Sequence, residues 1–224
     1  MKEALYEKSN KCPICSNSFY SKKVRVSACR IDKRYEDFCI SYKDINPLHY
    51  EILVCPHCGY AASENSFEKL STKELHAIKD ILSGKVVNRN FCVERSTNDA
   101  LDSFKLALFF AKSRNAKNSI VAGLALKLAW IYREMKDERE HDFLLYALEN
   151  YRIAYDKEDL PLGNLNEISV QYLLGELSRR LHKFSDAVFW FNKAVTNPER
   201  INNPRIEKLA REQWYDAKEQ CKKI

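Results

Sequence analysis

Four cysteines set the chemistry open to this sequence. They stand in two turns of the form C-P-x-C, Cys12-Pro13-Ile14-Cys15 and Cys55-Pro56-His57-Cys58, with 39 residues between them. Two such turns supply the four thiolates that a tetrahedral Zn2+ takes, and a site filled by four cysteines keeps no position open for substrate. The expected cofactor is therefore a structural Zn2+ held by Cys12, Cys15, Cys55 and Cys58. The spacer is longer than in a compact four-cysteine site. Cys29 and Cys39, which lie within it, are thus candidates to join or alter the ligand set, and His49 competes with them. His57 is expected to point away from the ion. Cys92 and Cys221 stand alone and read as packing residues.

The turns need particular backbone around them. After the first, Ser16, Asn17 and Ser18 suit a tight bend, with Asn17 expected to take the left-handed conformation in place of glycine. After the second, Gly59 takes it without steric cost. Phe19 and Tyr20 would cover the site. Residues 1–11 read as a polar lead-in. Lys23-Val24-Arg25-Val26 alternates like a half-exposed strand, and Tyr50-Glu51-Ile52-Leu53-Val54 is a β-prone run that delivers the chain to Cys55. Asn46-Pro47 marks a turn between them.

Beyond Tyr60 the period becomes helical. Ser71-Thr72-Lys73-Glu74 is a capping box for a helix with Leu75, Ile78, Ile81 and Leu82 on its apolar face, and Gly84 can close it. Residues 84–95 read as a linker. Beyond Ser96, which can cap the first, helices are expected over 98–113, from Ile120 to Tyr132, over 139–156, 165–181 and 184–196, and from Pro204 with Asn203 as cap. Leu174-Gly175, then Phe184, Ala187, Phe191 and Ala194, then Pro198, resembles the tetratricopeptide repeat. Ala100, Phe104 and Ala107 repeat its A-x3-F-x2-A spacing. Gln171, Ser178 and His182 depart from it. The expected fold is α+β and mostly α. A zinc-ribbon-like β domain (1–62) leads through a helix and linker (63–95) to tetratricopeptide-like repeats with a C-terminal capping helix (96–224).

Composition narrows the class. Charged residues make up 30%, and only five glycines and six prolines occur, which suits a soluble helical chain. There are 37 basic and 31 acidic residues, a net charge of +6. That excess is too mild to imply nucleic acid by itself. The opening residues hold no apolar stretch of signal-peptide length, and no run is long enough to span a bilayer. The expected setting is the cytoplasm, with no membrane partner and with reduced cysteines.

The residues Asp37-Phe38-Cys39, Asn46-Pro47-Leu48-His49-Tyr50, Val54-Cys55-Pro56-His57-Cys58-Gly59-Tyr60-Ala61, Leu128-Ala129-Trp130-Ile131-Tyr132-Arg133 and Tyr172-Leu173-Leu174-Gly175-Glu176-Leu177-Ser178-Arg179-Arg180-Leu181 resemble a bacterial family catalogued as domain of unknown function 2225. The resemblance runs from about Cys12 to Lys193. It implies a cytosolic bacterial setting and the zinc-plus-repeat layout, and it carries over no catalytic residue.

Three functions fit these features. The leading expectation is an interaction or scaffold protein that binds a protein partner in a groove of the helical repeats. Arg133, Arg179, Tyr132 and Tyr172 are its candidate contacts. The alternative is nucleic-acid binding by the ribbon through Lys22, Lys23, Arg25, Arg30, Lys33 and Arg34, with Phe19, Tyr20 and Tyr35 to stack bases. A thiol or metal enzyme comes last. C-x-x-C is also a redox motif, but its βαβ setting is missing here. No phosphate-loop, dinucleotide, zinc-protease or nucleophile-elbow motif occurs. No small-molecule substrate is inferred.

Overall fold

The computed structural model describes residues 4–222. Strands come first. Strands β1 (Leu5–Lys11) and β2 (Ser18–Val24) form an antiparallel pair, with Leu5 opposite Val24 and Lys11 opposite Ser18. Strands β3 (Ile31–Arg34) and β4 (Ile40–Tyr42) form a second pair, and β5 (Ile52–Val54) and β6 (Ala61–Ser63) a third. Eight helices follow among the described residues: α1 (Glu64–Phe67), α2 (Thr72–Leu82), α3 (Thr97–Ser113), α4 (Asn118–Glu134), α5 (Glu140–Lys157), α6 (Glu167–Arg180), α7 (Phe184–Thr196) and α8 (Pro204–Cys221). The fold is α+β and mostly helical, with its strand pairs confined to the N-terminal part. No helix of the described residues is long and apolar enough to cross a membrane.

Contacts divide the described chain into two units. One holds residues 4–34, 40–116 and 130–137; the other holds 35–39, 117–129 and 138–222.

In the first unit, the polar lead-in is in fact strand β1. Most of its side chains face water, so it has no apolar alternation to betray it. Its partner β2 specifies it instead, through backbone hydrogen bonds that a C-P-x-C turn brings into register. Val26 lies beyond β2, in a short 3-10 turn (Val26–Ala28). Strand β5 is shorter than expected because Pro47–Tyr50 coils into another 3-10 turn, capped by Asn46 Oδ1 accepting from the Leu48 N–H at 3.1 Å. Helices α2 and α3 open on full capping boxes, Ser71 with Glu74 and Ser96 with Asp99. Aromatic packing joins the β5–β6 hairpin to the helices: the Tyr60 ring lies 5.0 Å from Phe67 and 5.5 Å from Phe110.

Arg95 is buried in the same unit. Its side chain donates to the carbonyls of Phe91 (2.7 Å), His49 (3.0 Å) and Ile52 (2.9 Å). Its own N–H meets the Tyr50 hydroxyl at 3.0 Å. Burial pushes its guanidinium down to about 10. One cation thus satisfies the irregular backbone that leads into Cys55.

In the second unit, α6 packs against α5, α7 and α8, and α7 against α8. Every residue of α6 from Ile168 to Ser178 is buried, as befits a helix surrounded by others. Its polar residues are satisfied: Gln171 donates to the Tyr155 hydroxyl (2.9 Å) and accepts from Asn197 (3.0 Å). Gly175 sits under Phe191 so closely that a Cβ there would lie 2.6 Å from the ring. Asn203 does not cap α8 with its side chain; it donates to the Glu199 carbonyl instead (2.9 Å).

Three helices end alike. Asn115, Lys136 and His182 take φ of +53°, +55° and +57° after α3, α4 and α6. The next residue's N–H then reaches back five positions: Ala116 to Ala111, Asp137 to Tyr132, and Lys183 to Ser178, at 2.9, 3.0 and 2.9 Å. This is the Schellman closure, which normally uses glycine.

Two consequences can be measured. Gly175→Ala must displace an aromatic ring and is expected to destabilise the protein by about 1–3 kcal/mol, whereas His182→Gly removes left-handed strain of about 1 kcal/mol and is expected to stabilise it. Denaturant midpoints of both variants check the opposed signs. Acid gives the second. Burial alone would raise Glu74, Asp99 and Glu134. Hydrogen bonds from Ser71 and Arg114, from Ser96 and Arg89, and from His49, Asn46 and Thr97 outweigh it and hold all three below the ordinary carboxylate range. A carboxylate with a depressed folded pKa contributes stability above its unfolded value, near 4, and loses it as pH falls through the folded one. Metal-free protein should therefore lose first-unit structure as pH drops below about 4, read by amide exchange at β5, β6 and α3.

Candidate metal centre

Each C-P-x-C turn sits at the tip of a hairpin, the first between β1 and β2 and the second between β5 and β6. The two fold identically. The Cys12 N–H donates to Asn17 O and the Ser16 N–H to Cys12 O; the Cys55 N–H donates to Tyr60 O and the Gly59 N–H to Cys55 O, all at 2.9 Å. The residue after the second cysteine takes the left-handed backbone, Gly59 at φ +80° and Ser16 at φ +64°. The expectation placed this at Asn17. The turn requires it one residue earlier, whatever side chain stands there.

The hairpins bring the four sulfurs together. Sγ of Cys12 and Cys58 are 3.6 Å apart, Sγ of Cys15 and Cys55 are 3.7 Å apart, and all four lie within 4.8 Å of one another. Four sulfurs at the Zn–S distance of about 2.3 Å from a centre would be separated by about 3.8 Å. A disulfide needs about 2.05 Å, and every described cysteine is a free thiol. Cys12 and Cys55 are buried, while Cys15 and Cys58 are half-buried. As bare thiols at this spacing they cannot ionise alike. Hydrogen bonds from Cys12 and then Cys58 pull Cys55 down to about 2. Contact with Cys55 pushes Cys12 up to about 12, and contact with Cys12 pushes Cys58 up further. One divalent cation held by all four thiolates would remove that conflict. The donor set, spacing and burial fit a metal ion, and Cys12, Cys15, Cys55 and Cys58 would hold it.

Other expected ligands lie elsewhere. Cys29 is in the first unit, its thiol directed at the Arg25 carbonyl (3.7 Å), and Cys39 is buried in the second unit. Neither belongs to the cluster, because β2 and the turn after it carry Cys29 away from the hairpin tip. His57 is exposed, and His49 donates from Nε2 to Glu134 (3.1 Å). Cys92 packs with its thiol on the Val54 carbonyl (3.6 Å), and its own carbonyl accepts from the Lys22 N–H (2.9 Å).

The basic residues of the ribbon are largely matched by carboxylates or rings. Lys22 pairs with Glu7 (3.3 Å), Lys23 with Glu64, and Arg30 with both Asp44 oxygens (2.9 Å each). Arg25 lies over the Tyr6 ring, 4.5 Å from its centroid. Lys33 and Arg34 are exposed on β3. Phe19 is buried against Phe67 and cannot stack a base; Tyr20 is exposed, 66% of its surface accessible. Tyr35 belongs to the second unit.

Of the expected groove residues, Tyr132 and Arg133 fall in the first unit and Tyr172 and Arg179 in the second. Both tyrosines are fully buried. Tyr172 is covered by Phe191 and by Phe38, whose ring centroid is 5.3 Å away.

That cover belongs to an arrangement the sequence reading missed. Residues 35–39, the tip of the β3–β4 hairpin, pack on α6. Tyr172 donates its hydroxyl to the Glu36 carbonyl at 2.8 Å. Arg180 donates to Glu176 (2.7 Å) and to Glu36 (3.1 Å), and its Nε lies 3.8 Å from buried Asp37. Arg179 grips Glu176, itself fully buried, with two hydrogen bonds of 2.8 and 2.9 Å. Phe38 sits at φ +69°, a conformation that strains a bulky side chain by about 1–2 kcal/mol. Both halves of this clasp lie in segments that carry the family resemblance, but nothing local in either pairs them across so many residues. A second missed hub is Glu134, which accepts from His49, from Asn46 (2.9 Å) and from Thr97 (3.1 Å).

Residues 5–217 match the model of a family described as uncharacterized proteins conserved in bacteria, DUF2225, and the chain belongs to that family. Comparison with curated proteins and with solved structures found no match.

Titration of metal-free protein with Co2+ tests the centre. One equivalent should produce the absorption of tetrahedral thiolate coordination and protect four cysteines from alkylation. Cys55→Ser should abolish the spectrum, and Cys29→Ser should leave it unchanged.

Proposed function

We propose that this family member is a zinc-stapled interaction protein, in which a closed Zn2+ site fixes a pair of hairpins and a tetratricopeptide-like helical stack recruits a protein partner. The four-sulfur cluster carries the reading. Four soft thiolates at tetrahedral spacing favour Zn2+ over the oxygen-seeking Mg2+ and Ca2+. With all four positions taken by protein, such an ion is structural and offers substrate no place. We read no catalytic residue in the chain. A reducing cytoplasm suits a protein whose described cysteines are all free thiols.

The repeat reading draws support from the shared closure of α3, α4 and α6. It draws more from the burial of Ala100, Phe104, Ala107, Ala187, Phe191 and Ala194, the small and aromatic positions of the repeat spacing. Stacks of this kind serve chiefly to present surfaces to other proteins. Nucleic-acid binding is disfavoured by the carboxylate partners of Lys22, Lys23 and Arg30 and by the burial of Phe19.

The test is capture of a partner from a bacterial extract, followed by reconstitution with the purified partner. Amide exchange should then slow at α6 and α7 and be unchanged at β2–β4. Protection confined to 18–34, or salt-sensitive binding of single-stranded RNA or DNA at that surface, would overturn the proposal.

A further inference from the structure

The second unit already contains a bound peptide turn, supplied by its own chain. Glu36, Asp37 and Phe38 project from the tip of a hairpin whose β3 strand is wholly exposed. They meet α6 with three complementary groups. Arg180 takes the carboxylates of Glu36 and Asp37, the Tyr172 hydroxyl takes the Glu36 carbonyl, and the Tyr172 ring takes the Phe38 ring. We propose that this face of α6 is a receptor for an acidic–acidic–aromatic turn, and that residues 36–38 fill it as an internal ligand which a partner segment of the same chemistry displaces. This rests on the reading of the helical unit as a partner-binding module, and it names the class of segment that the module takes.

Two observations make the tip a displaceable ligand as well as a brace. The first is its backbone. Phe38 is held at φ +69°, a conformation an unbound tip would relax from, and strain of this kind gathers at clamps and switches. A partner turn free of that strain has an advantage over the resident one. The second is the way α6 is built beneath it. Glu176 is buried and keeps both hydrogen bonds from Arg179 and one from Arg180 without help from the tip. Departure of the tip therefore orphans no buried carboxylate on α6. It uncovers an arginine already oriented by Glu176, beside a hydroxyl and an aromatic ring. Two arginines against one glutamate leave that face with a net positive charge, suited to an acidic segment.

The experiment uses a cyclised peptide of residues 34–40 carrying Cys39→Ser, with a control peptide carrying Asp37→Asn and Phe38→Ala. Binding is measured to the full-length wild type and to full-length protein carrying Asp37→Asn with Phe38→Ala. The released variant should bind the peptide at least about tenfold more tightly than wild type, because the wild-type receptor is filled for most of the time. Arg180→Gln added to that variant should remove the binding. A released variant with unchanged helical content that does not distinguish the peptide from its control would overturn the proposal. If that variant loses helical content, the wild type decides instead. Excess peptide must speed amide exchange at Phe38 and Cys39, and no acceleration rejects displacement. Partner capture that persists while the peptide fails would sink this inference alone. A peptide that binds while no partner protects α6 would sink the broader reading alone.

Discussion

The two cysteine-tipped hairpins of the first unit are tied together by four sulfur atoms lying within 4.8 Å of one another. Two-stranded hairpins are marginal by themselves in water. The strand pairs here have two strands each, and β1 buries almost nothing. Burial holds β5 and β6 but gives little to β1. Closing the 39-residue segment between Cys15 and Cys55 also costs entropy that grows with its length, though slowly. A metal ion held by all four thiolates would supply stabilising free energy in one place, about 10–16 kcal/mol in small zinc peptides. The protein's own contribution is geometric: two identical turns, each forcing the residue after its second cysteine into left-handed backbone. At Ser16 the chain accepts a strained conformation to make that geometry, which indicates that the turn dominates the side chain.

The second unit is organised by a different constraint, close approach of helices. Gly175 under Phe191 sets the distance between α6 and α7, and no residue with a side chain fits there. Around that contact lie Ile168, Tyr172, Ala187, Ala194 and Ala210, mostly small or aromatic, with Trp214 at the edge. Small residues bring backbones together and aromatic ones fill the gaps left between them. The result is an α6 buried on all sides, which cannot be amphipathic in the ordinary sense. Its polar groups have to find partners inside the protein, and Gln171, Ser178 and Glu176 each do.

How much of this could be read from the sequence follows from where each signal resides. The capping boxes at Ser71 and Ser96 and the helix after each were legible, because the physics is confined to four neighbouring residues. The cysteine cluster was legible, because ligand chemistry restricts spacing as well as type. Strand β1 was not, since its specification lies in β2 across a turn and leaves no mark on its own side chains. The left-handed residue was misplaced at Asn17 because propensity favours asparagine there, while the hydrogen bonds of the turn demand position 16. Tyr172 and Arg179 were named only as candidate contacts for a partner. Their covering by Phe38 and their anchoring by Glu176 were hidden, because residues 36 and 172 meet through tertiary structure alone.

The clasp on α6 also bears on why charge is buried here at all. Replacing a buried ion pair by packed apolar residues is often neutral or stabilising, so stability is a poor reason for keeping one. Removing one partner is severe, because the other is left uncompensated. Glu176, Arg179 and Arg180 therefore make a poor glue and a strict template. An apolar α6 would accept any greasy turn in several registers. This one accepts a turn only if carboxylates fall near Arg180 and a carbonyl falls at Tyr172. Such selectivity serves little purpose in a permanently closed joint, where covalent connection already names the occupant. It has value where the occupant must be told apart from others.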